Sequence, residues 1–142
     1  MTIDLFKNHG IIHDKILSLS PKEVHELLTA GLIIVDIRDP DYLAFKSFDV
    51  ENGRLLNIPE KEFDDQLQNL DQQEYYVVAD SSGIHNQSYA QKMIDNGFRH
   101  VACMSGGFVE WERDGLPIRE DKYERLSGSC ACQLKPPLKE KG

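Results

Sequence analysis

Cysteines are few in this sequence, and long hydrophobic runs are absent. The three cysteines, Cys103, Cys130 and Cys132, are an odd number with no secretory signal, which argues against a structural disulfide framework. The longest apolar run covers residues 31–35, whereas a membrane-spanning helix needs about 18 apolar residues. The first residues lack the basic-then-apolar order of a secretory signal. We therefore expect a cytoplasmic protein with no membrane segment, whose thiols are mostly free, metal-bound or redox-active.

Positive charge is also scarce. The 142 residues include 16 Lys and Arg against 24 Asp and Glu, which gives a formal net charge of −8. Because an acidic chain repels a phosphate backbone, we expect no nucleic-acid partner. The sequence has no internal repeat, and its length suffices for one domain with one hydrophobic core and not for two.

Strand and helix patterns alternate along most of the chain. Ser20, Pro21 and Glu23 form a capping box with proline at the first helical position, which predicts the start of a helix. The apolar runs at residues 32–37 and 75–79 are typical of strands buried on both faces. Since parallel neighbouring strands need crossover helices, the alternation predicts an α/β domain with a parallel-rich sheet covered on both faces.

The pattern divides the chain into three parts. Residues 1–14 are an amphipathic N-terminal extension, residues 15–120 are the domain, and residues 121–142 are a C-terminal tail without apolar periodicity. Within the domain, residues 15–19 alternate loosely, which predicts a short edge strand.

Several short motifs occur together and in order within residues 15–120. They are Ser20-Pro21-Lys22-Glu23-Val24, Val35-Asp36-Ile37-Arg38-Asp39-Pro40-Asp41-Tyr42, Leu56-Asn57-Ile58-Pro59, Asn96-Gly97-Phe98, Ser105-Gly106-Gly107-Phe108-Val109-Glu110-Trp111 and Gly115-Leu116-Pro117. Through these motifs the chain resembles the rhodanese-like family, which implies a three-layer α/β domain with a mostly parallel central sheet flanked by helices. The chain departs from the family near residues 45–54, where the segment G-H-I-x-G-A is missing.

The resemblance also implies where a functional loop lies. In the family, the loop after the central strand reads C-x-x-G-x-R, and its cysteine carries a persulfide sulfur among inward-pointing N–H groups at the start of a helix. The matching segment is Asp80-Ser81-Ser82-Gly83-Ile84-His85, followed by Asn86. Asp80 takes the place of the cysteine and His85 that of the arginine. A carboxylate cannot carry a persulfide, so the loop is predicted to curl into a nest that bonds the Asp80 carboxylate itself.

The missing cysteine leads to the first hypothesis of function. We predict a rhodanese-like protein that is inactive as a thiosulfate sulfurtransferase and acts as a binding or regulatory module for an unknown protein or a small anion, without a cofactor. Two other roles of Asp80 stay open, an N-terminal helix cap and an acid–base pair with His85. The resemblance implies that Asp36 and Arg38 brace the loop, and the alternative is a purely structural ion pair.

The Cys-x-Cys motif of the tail is a second candidate site. Cys130 and Cys132 suit a disulfide, a soft metal or a sulfur relay, unless the two thiols are incidental. The competing hypothesis is therefore an enzyme, a sulfurtransferase or a thiol or metal relay that works through this pair. We assign no metal site, because no paired ligand spacing accompanies the scattered histidines. Cys103 lies in a predicted buried strand, where a free cysteine is expected to be inert.

Overall fold

A computed structural model describes residues 4–120 of the chain. The strands are β1 (Ile11–His13), β2 (Ile16–Leu19), β3 (Ile33–Asp36), β4 (Lys46–Phe48), β5 (Leu55–Asn57), β6 (Tyr75–Ala79), β7 (His100–Met104) and β8 (Ile118–Glu120). The helices are α1 (Pro21–Leu28), α2 (Pro40–Leu43), α3 (Phe63–Gln66), α4 (Asn86–Asp95) and α5 (Gly107–Arg113), with 3-10 turns at Glu60–Glu62 and Leu67–Asn69.

Six of the strands form one sheet in the order β1-β2-β7-β6-β3-β5. Every pairing from β2 to β5 is parallel, and only β1 pairs antiparallel, with β2. The mostly parallel α/β sheet predicted from the alternation of patterns is therefore confirmed. Within residues 4–120, no helix combines the length and the apolar character that crossing a membrane requires.

The central strand β6 shows how the sheet is covered on both faces. Tyr75, Val77 and Ala79 pack with α1 and α5 on one face, whereas Tyr76 and Val78 pack with α3 and α4 on the other. Successive side chains of a strand point to opposite faces, and all five residues of β6 are buried. The continuous apolar run in the sequence thus reflects the middle layer of a three-layer domain.

The start of α1 forms as its capping box predicts. The Ser20 hydroxyl accepts the Glu23 N–H at 3.2 Å, and Glu23 Oε1 accepts the Ser20 N–H at 3.0 Å. Glu23 Oε2 also accepts the Gly10 N–H at 2.8 Å. Burial acts to raise the pKa of Glu23, but the N–H groups of Ser20 and Gly10 act the other way, and the pKa lies below its ordinary value. One carboxylate therefore both caps α1 and holds the chain just before β1.

The edge of the sheet differs from the sequence prediction. Residues 15–19 are predicted as an edge strand, but β2 lies between β1 and β7. The edge is β1, which lies within the segment 1–14 and turns into β2 through Asp14 and Lys15, both with positive φ. The pattern gave no sign of β1 because Ile11 and Ile12 are 76% and 70% exposed, so no single buried face marks the strand.

Two short features also depart from the prediction. The strands β4 and β8 pair antiparallel as a separate two-stranded sheet, and with three residues each they are too short to show periodicity. Phe63, Leu67 and Leu70 have the spacing of one face of a helix, but residues 63–69 form α3 followed by a 3-10 turn. Both departures lie on the flanks of the main sheet and leave its topology unchanged.

Candidate functional site

The loop of residues 80–86 begins where β6 ends, at the carboxyl edge of the parallel sheet. The neighbouring strand β3 ends at the same edge, because Asp36 is paired with Ala79 in the register of the two strands. Ligands of open α/β sheets bind at this edge. The loop predicted from the sequence therefore lies where this architecture places binding sites.

The Asp80 carboxylate is enclosed by its own loop. Asp80 is 4% exposed. Its Oδ1 accepts the Gly83 N–H at 2.6 Å, and its Oδ2 accepts the His85 N–H at 2.7 Å. Both bonds are short, as expected when the acceptor is charged. The predicted nest around Asp80 is confirmed. Both N–H groups precede α4, whose start has no side-chain cap, so the carboxylate closes the turn before the helix rather than capping the helix itself.

Two glycines allow the loop to pack against the start of α5. Gly107 has φ 61°, and a Cβ there would lie 2.5 Å from the Asp80 carbonyl oxygen. Gly83 has φ 87°, and a Cβ there would lie 2.8 Å from the Gly106 nitrogen. The Phe108 N–H donates to the Asp80 carbonyl at 2.8 Å across this contact. Any side chain at either position would push the loop away from α5.

Asp36 and Arg38 form a buried ion pair beside the loop. Arg38 donates from Nε to Asp36 Oδ1 at 3.0 Å and from Nη2 to Oδ2 at 2.9 Å. The Arg38 guanidinium lies 4.2 Å from the centroid of the Phe108 ring, and Phe108 in turn bonds the Asp80 carbonyl. A chain of contacts thus runs from Arg38 through Phe108 to the loop, while Asp36 compensates the guanidinium charge. The structure contains both the structural ion pair and a contact path to the loop.

The His85 side chain lies away from Asp80. Only its backbone N–H reaches that carboxylate, while its Nδ1 lies 4.0 Å from Glu60 Oε1. Glu60 also accepts the Tyr89 hydroxyl at 2.9 Å. The side-chain contact between Asp80 and His85, on which an acid–base pair depends, is therefore absent. The Ser81 and Ser82 side chains are exposed.

A cavity of about 290 Å³ opens over the front of the loop. Its lining comprises Arg38, Asp39, Tyr42, Glu60, Asp80, Ser81, Ser82, Ile84 and His85. Ile84 and Tyr42 are 76% and 63% exposed. Because Asp36 compensates Arg38, the carboxylates of Asp39 and Glu60 give the cavity an acidic rim beside this apolar surface. We call it the front cavity.

The sequence did not indicate Asp39, Tyr42 or Glu60 as parts of the site. Asp39 has a visible local role, because its side chain accepts the Asp41 N–H and caps α2. Glu60 starts a 3-10 turn after Pro59. No residue pattern brings these two turns to the same edge as Asp80. These turns lie near Asp80 because β3 is placed between β5 and β6 in the sheet.

Of the three thiols, the structure describes Cys103. Cys130 and Cys132 lie outside the described residues. Cys103 is buried in β7, where its Sγ lies 3.6 Å from the Leu17 carbonyl. Burial raises the pKa of the Cys103 thiol, which favours the protonated, weakly nucleophilic form. Across residues 4–120, no group of three or more His, Cys, Asp or Glu side chains is arranged to hold a metal ion.

The fold and the loop together define an α/β domain with a strand–nest–helix turn at the carboxyl edge of a parallel sheet. A model of the rhodanese-like domain family matches residues 20–114. The chain belongs to the rhodanese-like domain family.

Curated relatives and solved structures agree with this membership. The thiosulfate sulfurtransferase GlpE of Actinobacillus pleuropneumoniae serotype 7 is 34% identical over 101 residues, which cover 70% of this chain and 90% of that protein. The rhodanese-like domain-containing protein 17 of Arabidopsis thaliana is 22% identical over 128 residues, which cover 79% of this chain and 81% of that protein. The polysulfide-sulfur transferase homodimer of Wolinella succinogenes shares the fold with a TM-score of 0.65 at 24% identity, covering 79% of this chain and 84% of that one.

Proposed function

We propose that the chain is a rhodanese-like binding module that does not act as a thiosulfate sulfurtransferase at its loop. In this proposal, Asp80 stands at the position of the family's persulfide-carrying cysteine. The observation that carries the proposal is the pair of short bonds from the Gly83 and His85 N–H groups to the Asp80 carboxylate. Those N–H groups point at the place where a thiolate would sit, and a side-chain anion already fills it.

The chemistry of sulfur transfer supports the same reading. A carboxylate oxygen has no sulfur chemistry with which to accept and release a sulfane sulfur. Thiosulfate is also a dianion, and it would approach a cavity whose rim carries Asp39 and Glu60. The nearest guanidinium, on Arg38, is held in a bidentate pair with Asp36. Repulsion between like charges therefore opposes binding of the substrate as well as its reaction.

The front cavity favours a protein partner over a small anion. The Asp80 carboxylate already satisfies two of the loop's N–H groups, so they are not offered to an incoming anion. Exposed Ile84 and Tyr42 supply apolar surface beside the acidic rim. Such a mixture suits a protein segment that brings aliphatic and positively charged side chains. We therefore propose a partner protein with a basic contact surface.

The proposed function differs from the activity for which the GlpE relatives are named. The name thiosulfate sulfurtransferase belongs to the GlpE proteins of Actinobacillus and Haemophilus, which are 34% and 29% identical to this chain. We propose that this chain keeps their fold and the shape of the loop, and uses both for recognition. The competing relay through Cys130 and Cys132 stays a prediction from the sequence.

The first test is formation of thiocyanate from thiosulfate and cyanide. We expect the unmodified full-length protein to show no turnover above the uncatalysed rate. Asp80→Cys should create a low activity, because it places a thiol on the existing N–H nest. That activity should stay weak, since a histidine at position 85 supplies less positive charge near pH 7 than an arginine does.

Two controls separate the alternatives. The double variant Cys130→Ser/Cys132→Ser removes the tail thiols and leaves the loop unchanged. Turnover that disappears in the double variant would support the relay instead. Turnover that persists in the double variant and falls in Asp80→Asn would refute the assignment of the loop as inactive.

A further inference from the structure

A second cavity, of about 350 Å³, lies behind the loop. It is bounded by the β1–β2 hairpin, the end of β7 and the start of α4, and it shares no lining residue with the front cavity. Its volume falls at the small end of the range for pockets that bind small molecules. We call it the rear cavity.

The rear cavity contains a buried acceptor that lacks a donor. Asn86 lines it and is 2% exposed. Its Nδ2 donates to the Met104 carbonyl at 2.7 Å, and this contact fixes the orientation of the amide, because a carbonyl only accepts. Within residues 4–120, no group donates to Asn86 Oδ1. A buried acceptor left unpaired costs about 1–3 kcal/mol, so a donor inside the cavity would be stabilising.

The remaining lining is mostly polar or apolar without permanent charge, and its one imidazole, that of His13, has its Nδ1 3.7 Å from Asp14 Oδ2. It contains no Asp, Glu, Lys or Arg. The Cys103 Sγ lies 3.6 Å from the Leu17 carbonyl oxygen, and burial raises the pKa of this thiol. Ile11, 76% exposed, forms an apolar rim. A charged ligand would lose its water in this cavity without a carboxylate, ammonium or guanidinium group in the lining to offset that cost.

The rear cavity also touches the loop that surrounds Asp80. Its lining includes Gly83, whose N–H donates to Asp80 Oδ1. Asn86 directly follows His85, whose N–H donates to Oδ2. A molecule in the rear cavity therefore contacts the middle and the C-terminal end of the loop that shapes the front cavity.

We propose that the rear cavity binds a small uncharged molecule that donates an N–H or O–H to Asn86 Oδ1 and places an apolar group against Ile11 and Cys103. This site is separate from the proposed partner surface. It requires neither sulfur transfer nor its absence.

Benzamide and benzoate are a matched pair of probes, because they share a ring and differ in charge and in hydrogen-bond donors. In the full-length protein, NMR should show saturable shifts of the Gly83 and Gly106 amides with benzamide. Benzoate should bind at least about tenfold more weakly, the effect of one lost hydrogen bond of typical strength. Absence of saturable shifts with benzamide, or equal binding of benzoate, would overturn the proposal.

Two neighbouring residues of β1 supply matched variants. Ile11→Trp adds bulk at the rim of the cavity, whereas Ile12→Trp adds the same bulk at a residue outside the lining. We expect benzamide binding to weaken about tenfold or more in the first variant and to stay unchanged in the second. Equal binding in both variants, or a bound water that benzamide does not displace, would show that the cavity holds solvent only.

Discussion

At the scale of single residues, Asp80 is the side chain on which the site depends. Its carboxylate is nearly fully buried, and within residues 4–120 no cationic side chain is in contact with it. Two backbone N–H groups, at 2.6 and 2.7 Å, compensate its charge instead. Arg38, the nearest cation in the lining of the front cavity, is bonded to Asp36. The hydrogen bonds to the Asp80 carboxylate thus fix the conformation of the loop.

Asp80→Asn tests this dependence on the carboxylate. The amide keeps one acceptor oxygen and turns its NH₂ group toward a backbone N–H, which leaves a buried donor unsatisfied. We expect the free energy of unfolding to fall by about 2–3 kcal/mol, the range for hydrogen bonds to charged groups, as measured by urea denaturation. Asp64→Asn is the control, because that carboxylate is 75% exposed. The expectation is wrong if the two variants lose the same stability.

At the scale of secondary-structure elements, the capping box of α1 also holds a segment that lies 13 residues before Glu23 in the chain. Ser20 and Glu23 specify the helix start from the sequence alone, and the structure reproduces their reciprocal bonds. The third bond of Glu23, to the Gly10 N–H, is invisible in the sequence because it spans the β1–β2 hairpin. The helix cap therefore also fastens the edge of the sheet.

Glu23→Gln should make this contribution visible through pH. The folded-state pKa of Glu23 is lowered from its model-compound value of 4.5, so its stabilisation is fully present above that value and is lost as the pH falls through the folded-state pKa. The difference in unfolding free energy between wild type and Glu23→Gln should be largest near pH 7 and should shrink below about pH 4. Thermal or urea unfolding at both pH values measures it.

The control for this variant is Glu51→Gln, which changes an exposed glutamate. It should alter the unfolding free energy by no more than about 0.5 kcal/mol at either pH. A Glu23→Gln effect that is constant from pH 7 to pH 3.5 would contradict the assignment of the lowered pKa to the two backbone N–H groups.

At the scale of the whole molecule, the sequence predicted the parallel core well and its periphery poorly. The runs at β3 and β6 are continuous and apolar because those strands are covered on both faces. The strands β1, β4 and β8 have three residues each, and such short strands carry no readable period. The nest around Asp80 was predictable from the resemblance of its loop to that of the rhodanese-like family, but Glu60 and Tyr42 reach the front cavity only through tertiary arrangement.

Phe6→Ala tests whether the segment before residue 15 belongs to the folded unit. The Phe6 ring lies 5.0 Å from the Tyr75 ring, centroid to centroid, in an edge-to-face contact. We expect the variant to lower the free energy of unfolding by about 1–2 kcal/mol, as for partial burial of an aromatic side chain. Phe45→Ala, at a ring that is 45% exposed, should cost less. If both variants lower the free energy of unfolding equally, the segment before residue 15 does not contribute to the stability of the core.

The carboxylate at position 80 also determines how the loop responds to oxidants. A thiolate held in such a nest is oxidised to sulfenic acid and then, irreversibly, to sulfinic and sulfonic acids. Asp80 has no such chemistry, so its charge and its two hydrogen bonds are the same in peroxide as in reductant. The buried, protonated Cys103 is also a poor target for oxidants. The geometry of this loop is therefore expected to be the same under oxidising and reducing conditions.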